Sequence, residues 1–356
     1  MQKTIIFQIK NIRPLTIDAI ELSLVPINNQ SIPVYSSGQF ITLCITIDSI
    51  NYKKSFSLCS SPFLDDNLKI GIKRIQGDKV SNYLHSNVKV GDTISMLKPS
   101  GKFTVHPLIT NNKSHYFFAA GSGITPIYSM IKSILNIESN STVYLLYGNR
   151  NQRSIIFKKE FDELKKQFPK NFILKYLLSN PEMEWSDLWI SQKRKDYTKG
   201  RIESDTIKSF IDTNSQTNSN SAYYICGPED MINSTIITLE GLDVPLSRIY
   251  FERFNSNPSS LTIIEGVASL LKAHLNHQNY TIEMAKGETI LSALIKNHTN
   301  PPFSCESGTC GTCKCRLIDG KSSMKMNTYL SNEEVKEGYI LACQSIPLSS
   351  KIEVRF

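Results

Sequence analysis

A chain of 356 residues, 40% hydrophobic and 20% charged, is longer than one ordinary core and reads as two or three globular domains. No run approaches the roughly 18 apolar residues of a membrane span, and the N-terminus lacks the apolar stretch of a signal peptide, so a cytoplasmic protein is expected. The net charge of +8 is dispersed, which argues against a basic nucleic-acid arm and leaves a surface suited to an anionic cofactor or an acidic partner.

The first 110 or so residues read as all-β, in short alternating runs such as Ala19–Leu24 and Gln39–Leu43 separated by turn residues. Three segments stand out there: Lys53-Lys54-Ser55-Phe56-Ser57-Leu58-Cys59-Ser60-Ser61-Pro62, Gly71-Ile72-Lys73-Arg74, and Gly77-Asp78-Lys79-Val80-Ser81. They supply an aromatic ring, hydroxyls and bases suited to a phosphorylated planar cofactor. On spacing alone, a purely structural barrel fits nearly as well.

His115–Ala120 is a short buried-strand run followed by Gly121-Ser122-Gly123-Ile124-Thr125-Pro126 and then a helical pattern over 127–135. Strand, glycine turn and helix N-terminus together make a pyrophosphate site at Gly121, Gly123 and Thr125. Pro126 suits the first turn of a helix, where no N–H is needed. A second strand, Thr142–Tyr147, leads into Gly148-Asn149-Arg150, where an NAD-selective fold would carry an acid for the ribose hydroxyls. Arg150, with Arg153 and Ser154 close behind, suits a 2′-phosphate instead and predicts NADPH over NADH; a solvated loop is the plain alternative. The strand Ala222–Ile225 ends in Cys226-Gly227-Pro228, at the edge where ligands sit in such sheets, so Cys226 and Gly227 are expected at the nicotinamide. Asp212–Asn220 is a polar run expected to be an exposed loop, and Asn255–Ser260 a polar, turn-rich linker. Six extended residues reach about 20 Å.

Four of the eight cysteines fall into C-x4-C-x2-C, at Cys305, Cys310 and Cys313, with Cys343 after 29 further residues. This is the plant-type [2Fe–2S] spacing, for which a low potential near about −400 mV is expected. Three thiolates from one loop and one from a distant segment surround two irons, and Gly308 and Gly311 allow the loop to curl. Zinc is the alternative, but it prefers paired C-x2-C knuckles and only one is present. Cys315 competes as a ligand and is read as a strand residue under the loop. Strand, helix and strand patterns at 280–283, 288–295 and 315–318 flank the motif. From Ile263 onward ten Lys+Arg face nine Asp+Glu, leaving +1 there and +7 elsewhere.

The last 94 or so residues resemble the β-grasp ferredoxins, and the first 255 or so resemble the ferredoxin–NADP reductase superfamily. Within it the chain is similar to the reductase subunits of phenylacetyl-CoA epoxidase and related oxygenases, in module order and in length. The resemblance implies a multi-domain β and α/β protein: a Greek-key FAD barrel at 1–108, a parallel-sheet NAD(P) domain at 109–254, a linker at 255–261 and a ferredoxin domain at 262–356. The family's flavin motif R-x-Y-S falls on Lys54-Ser55-Phe56-Ser57, so a lysine replaces the arginine and a phenylalanine the tyrosine, and weaker flavin retention is expected. Lys73, Gly77 and Ser81 then lie by the flavin pyrophosphate, Ser57 at the flavin's reactive edge, and Phe254 beside its ring. The implied activity is hydride transfer from NAD(P)H to FAD, then single-electron transfer through the cluster to a terminal oxygenase. A desaturase, ring hydroxylase or hybrid-cluster protein as acceptor, or a non-turnover subunit or redox sensor, are the other readings.

Overall fold

A computed structural model describes residues 4–27, 31–182, 197–214, 220–254, 264–306, 308–327 and 329–356. The expected linker at 255–261 lies outside them. The described residues fall into two compact units, 4–52 with 56–254, and 264–356 with 53–55. No described helix is long and apolar enough to cross a membrane.

The first unit opens with β1 (Ile5–Thr16), β2 (Ala19–Pro26), β3 (Phe40–Ile47), β4 (Ile50–Ser57), β5 (Leu68–Lys73) and β6 (Thr93–Met96), ordered β4-β3-β6-β1-β2-β5. Leu58, one residue past β4, bridges Ile70 of β5, so the two edge strands meet and the sheet closes on itself. Alternation along the strands sends Phe7, Leu22, Leu24, Leu43, Ile70 and Met96 inward. Helix α1 (Lys79–Ser86) adds Val80 and Leu84 to that core and starts at Asp78, whose carboxylate accepts from Ser81 N.

The same unit continues with β7 (Ser114–Ala120), α2 (Ile124–Ile137), β8 (Thr142–Asn149), α3 (Lys158–Gln167), β9 (Phe172–Leu178), β10 (Tyr197–Lys199), α4 (Ser204–Asn214), β11 (Ser221–Cys226), α5 (Glu229–Glu240) and β12 (Ile249–Glu252). The strands are parallel in the order β10-β9-β8-β7-β11-β12. Burial on both faces explains why β7 and β8 read as near-continuous apolar runs. Helices α2 and α3 cover one face, α4 and α5 the other. Strand order reverses between β7 and β11, which makes the carboxyl ends there the crevice for a ligand. The polar run at 212–220 is corrected in part: Asp212–Asn214 are the last turn of α4, because the buried Ile207 and Phe210 hold that helix to the sheet.

Helix α2 is also fastened to the barrel. Ser133 Oγ lies 2.6 Å from Ser37 Oγ and 2.7 Å from Ser61 Oγ, Ser129 Oγ donates to Ser60 O, and Lys132 Nζ meets Asp65 Oδ2 at 2.6 Å. At its far end Glu138 is buried. Burial alone would raise its carboxyl, but hydrogen bonds from His115, Ser141 and Asn111 outweigh that and bring it down to about 2. A depressed carboxylate stabilises the fold fully above its unfolded value and loses that contribution as pH falls towards the folded one. Stability is therefore expected to decline between about pH 4.5 and pH 2, and urea midpoints of Glu138→Gln should show a flatter acid limb.

The second unit holds β13 (Ser269–Leu275), β14 (Gln278–Met284), α6 (Ile290–Lys296), β15 (Lys314–Asp319), β16 (Ser322–Met324), α7 (Asn332–Lys336), β17 (Tyr339–Leu341), β18 (Ser345–Pro347) and β19 (Lys351–Arg355). Its five-stranded sheet runs β14-β13-β19-β15-β17, with β13 and β19 parallel, and β16 pairs β18. Thr289 caps α6, whose Ile290, Leu291 and Leu294 pack with Leu271, Ile282 and Val354.

Candidate functional site

A cleft of about 700 Å³ opens along the carboxyl ends of the parallel sheet. Each strand contributes the residues just past its end: Gly121 after β7, Asn149 and Arg150 at the end of β8, Ser179 and Asn180 after β9, Gly200 and Arg201 after β10, Pro228 after β11. Lys73 of β5 also lines it, so three cations, Lys73, Arg150 and Arg201, face a cleft with two acids, Glu203 and Asp230. That balance and shape suit a phosphorylated nucleotide.

Of the residues singled out above, Gly121, Arg150, Ser154 and Lys73 line this cleft, and Gly123, Thr125, Cys226 and Gly227 do not. Lys73, expected at the flavin pyrophosphate, thus lies with the nucleotide residues, its ammonium 3.5 Å from Asp18 Oδ2. Gly123 is packed against β11: a Cβ there would come within 2.2 Å of Cys226 O. Thr125 is buried, donates to Ser122 O and presses its methyl on Gly71. Ser154 closes a reciprocal cap with Asn151, and Arg153 pairs with Glu182 at 2.9 Å. Arg201, Ser179 and Asn180 were missed by sequence reasoning. Their signal is position alone, directly after β9 and β10, and β10 is only three residues long.

Lys54, Ser55, Phe56 and Ser57 form the second half of β4. Phe56 is half-buried and Ser57 fully buried, its Oγ donating to Glu252 Oε2 at 3.4 Å. Glu252 ends β12 in register with Cys226 at the end of β11. Cys226 is itself fully buried, and burial, then the charge of Glu252, push its thiol well up, so it stays protonated at neutral pH. Ser57, Cys226 and Glu252 thus gather a hydroxyl, a thiol and a carboxylate, and Phe254 follows two residues on, 38% exposed. Glu252 carried no sequence signal of its own, since an acid ending a strand is common on surfaces. For a flavin, the ring of Phe56, the cation of Lys54 and the Ser57 hydroxyl are suitable chemistry. The segment at Gly77–Ser81 is closed on itself: Ser81 N is taken by Asp78, and Ser81 Oγ accepts from Ile75 N.

In the second unit the four cysteine thiols of the motif pair two by two, Cys305 with Cys310 and Cys313 with Cys343. No three such side chains among the described residues converge on a single ion. Two pairs suit two irons with bridging sulfides. Backbone donors already face the sulfurs: Thr312 N approaches Cys310 Sγ at 3.4 Å, and Gly308 N–H donates to Cys343 Sγ. Gly311 has φ +69, and a Cβ there would strike the Tyr329 ring at 2.1 Å. Cys315 lies in the core with Leu317 and Ile340, 2% exposed, and burial, then the charge of Cys313, raises its thiol. The residues present therefore fit a [2Fe–2S] cluster.

Comparison with known proteins agrees with this layout. Residues 15–105 match the oxidoreductase FAD-binding domain, 117–236 the oxidoreductase NAD-binding domain and 273–348 the 2Fe-2S iron-sulfur cluster binding domain. The chain is 28% identical over 346 residues to a subunit of the 1,2-phenylacetyl-CoA epoxidase of Escherichia coli (strain K12), covering 96% of this chain and 94% of that one. It is 32% identical over 330 residues to the ferredoxin reductase component of the 3-ketosteroid-9-alpha-monooxygenase of Mycobacterium tuberculosis, covering 90% and 85%. Phthalate dioxygenase reductase shares the fold, with a TM-score of 0.62 at 20% identity over 99% of this chain and 98% of that one. With all three cofactor modules matched in one sequence, the chain belongs to the family of oxygenase reductase components, NAD(P)H-dependent oxidoreductases built from FAD-binding, NAD-binding and [2Fe–2S] ferredoxin domains.

Proposed function

We propose that this reductase draws electrons from NADPH and delivers them to a terminal oxygenase of the phenylacetyl-CoA type, in the cytoplasm, through domains bounded at 1–108, 109–254 and 262–356 with a linker at 255–261. The observation that carries the reading is the cleft whose lining joins the Gly121 turn to Arg150 and Arg201. The chemistry supplied by the bound groups is hydride acceptance by FAD and one-electron carriage by the [2Fe–2S] cluster.

The chain's own residues bind and orient. Gly121 lets the nucleotide pyrophosphate approach the start of α2, with Gly123 and Thr125 shaping the turn behind it. Arg150, Arg201 and Ser154 face the adenosine end, where guanidinium groups recognise a 2′-phosphate. Ser57, hydrogen-bonded to Glu252, would offer its hydroxyl to the flavin's reactive edge, and the neutral, fully buried Cys226 thiol with Gly227 would back the nicotinamide end from behind the cleft lining. Lys54, Ser55, Phe56 and Phe254 hold the flavin, while Lys73 lines the nucleotide cleft and the Gly77–Ser81 turn is closed on itself. Cys305, Cys310, Cys313 and Cys343 are the cluster ligands. The acceptor is proposed from the near full-length similarity to the epoxidase component.

Arg150→Ala and Arg201→Ala are each expected to raise KM for NADPH about 10- to 100-fold, while KM for NADH stays within about twofold, because one charge-assisted contact is worth about 1.5–3 kcal/mol. Equal losses with both cofactors would remove the 2′-phosphate assignment. The whole electron route is tested by anaerobic titration of the iron-reconstituted protein with NADPH, followed by absorbance and electron spin resonance. Flavin bleaching with a reduced [2Fe–2S] signal is the expected result; no bleaching would overturn it.

A further inference from the structure

Gln344 follows the fourth cluster cysteine, is 3% exposed, and reaches back across the ligand loop. Its Nε2 donates to Glu306 O at 2.7 Å. Glu306, directly after Cys305, has φ +54, a left-handed backbone unusual for a residue with a side chain. The Gln344 Cγ also abuts Gly308, where an added Cβ would come within 3.1 Å of it. The Gln344 backbone is fixed in turn, its N–H donating to Leu341 O and its carbonyl accepting from Lys325 N, both at 2.9 Å. Its Oε1 is buried without a hydrogen-bond partner among the described residues. The side chain's polar role is therefore concentrated in the one bond to Glu306.

The segment so held is the one whose Gly308 N–H donates to Cys343 Sγ. Donors to cluster sulfurs stabilise the extra electron of the reduced state and so raise the reduction potential. We propose that Gln344 is a positioning residue of the cluster loop: by fixing Glu306 in its left-handed turn and bracing Gly308, it aims the Gly308 N–H at Cys343 and thereby sets both the cluster's potential and its retention. The inference rests on the four-cysteine cluster reading above. Among the described residues the Gln344 side chain donates to no cysteine sulfur; it acts through the backbone at Glu306 and Gly308.

The test uses full-length, cluster-loaded protein with Gln344→Met, which keeps length and removes the amide, and Gln344→Asn, which keeps the amide but shortens its reach. Midpoint potentials are read by redox titration monitored by electron spin resonance, and iron loss by release to a chelator. Both variants are expected to shift the potential to more negative values, and Gln344→Met to release iron roughly tenfold faster, the scale of one buried bond lost with its acceptor stranded. Flavin bleaching by NADPH is expected to be unchanged. A variant folded by circular dichroism that takes up no iron would also support the retention role. A parental potential and parental iron release in either cluster-bearing variant would overturn the proposal, and so would general unfolding of both. Parent protein lacking iron would instead sink the cluster reading itself, which keeps the two failures apart.

Discussion

Replacing Cys343 with serine is expected to strip the protein of its cluster while leaving NADPH-driven bleaching of the flavin intact. Cys343 reaches the site from β17's end, 29 residues past the loop, and pairs with Cys313. In the proposed ligand set, losing it would leave one iron with a single cysteine. Reduction of one-electron acceptors such as cytochrome c should fall by about two orders of magnitude or more, because single-electron exit runs through the cluster. Ferricyanide, which accepts from flavin directly, should still be reduced. The matched control is Cys315→Ser. Cys315 is a core residue of β15, opposite Ile340, and its thiol is held protonated by burial. That variant should keep its iron and lose only about 1–2 kcal/mol for a hydroxyl buried in apolar surroundings. Iron analysis separates the outcomes: a Cys315→Ser protein without iron would transfer the ligand role to that position.

Gly123→Ala carries the next largest expected effect. The added methyl would lie 2.2 Å from Cys226 O and 2.7 Å from Gly227 N, both backbone atoms. Neither side has room to yield. Strand β11 is clasped between β7 and β12, and α2 is bound to the barrel through Lys132–Asp65 and the Ser129 and Ser133 hydroxyls. Overpacking of this kind costs about 1–3 kcal/mol or more, so thermal stability and NADPH affinity should fall together, the latter by at least about tenfold. Gly121→Ala behaves differently. Its φ of +54 disfavours a side chain, but no atom lies within 4 Å of the added methyl, which would protrude into the cleft. A strain of about 1–2 kcal/mol with a disproportionate loss of NADPH binding is expected. Equal, parallel losses in the two variants would deny Gly121 its place against the nucleotide.

The cluster motif, the glycine turn between strand and helix, and the three-module order were legible in the sequence because each is a short-range pattern. Cysteine spacing limits which thiols can share an iron, and a buried parallel strand is an unbroken apolar run whatever surrounds it. Strand β13 (Ser269–Leu275) went unread although its burial alternates, because a serine takes the inward position at Ser269 and a leucine the outward one at Leu270, which blurs the alternation at its start. The start of the polar run, 212–214, became helix because Ile207 and Phe210 anchor α4 from one side only, a fact no polar residue announces.

What the tertiary structure alone decided is which residues share a space. Lys73 lies in a barrel strand yet lines the nucleotide cleft; Arg201 joins Arg150 only because β10 is laid parallel beside β9, with β8 beyond. Glu252 meets Ser57 across 195 positions of sequence, and Gln344 meets Glu306 across 38. Local chemistry determined the cofactors this chain is built for. Long-range strand pairing and packing, whose partners no local pattern encodes, determined the side chains that surround them.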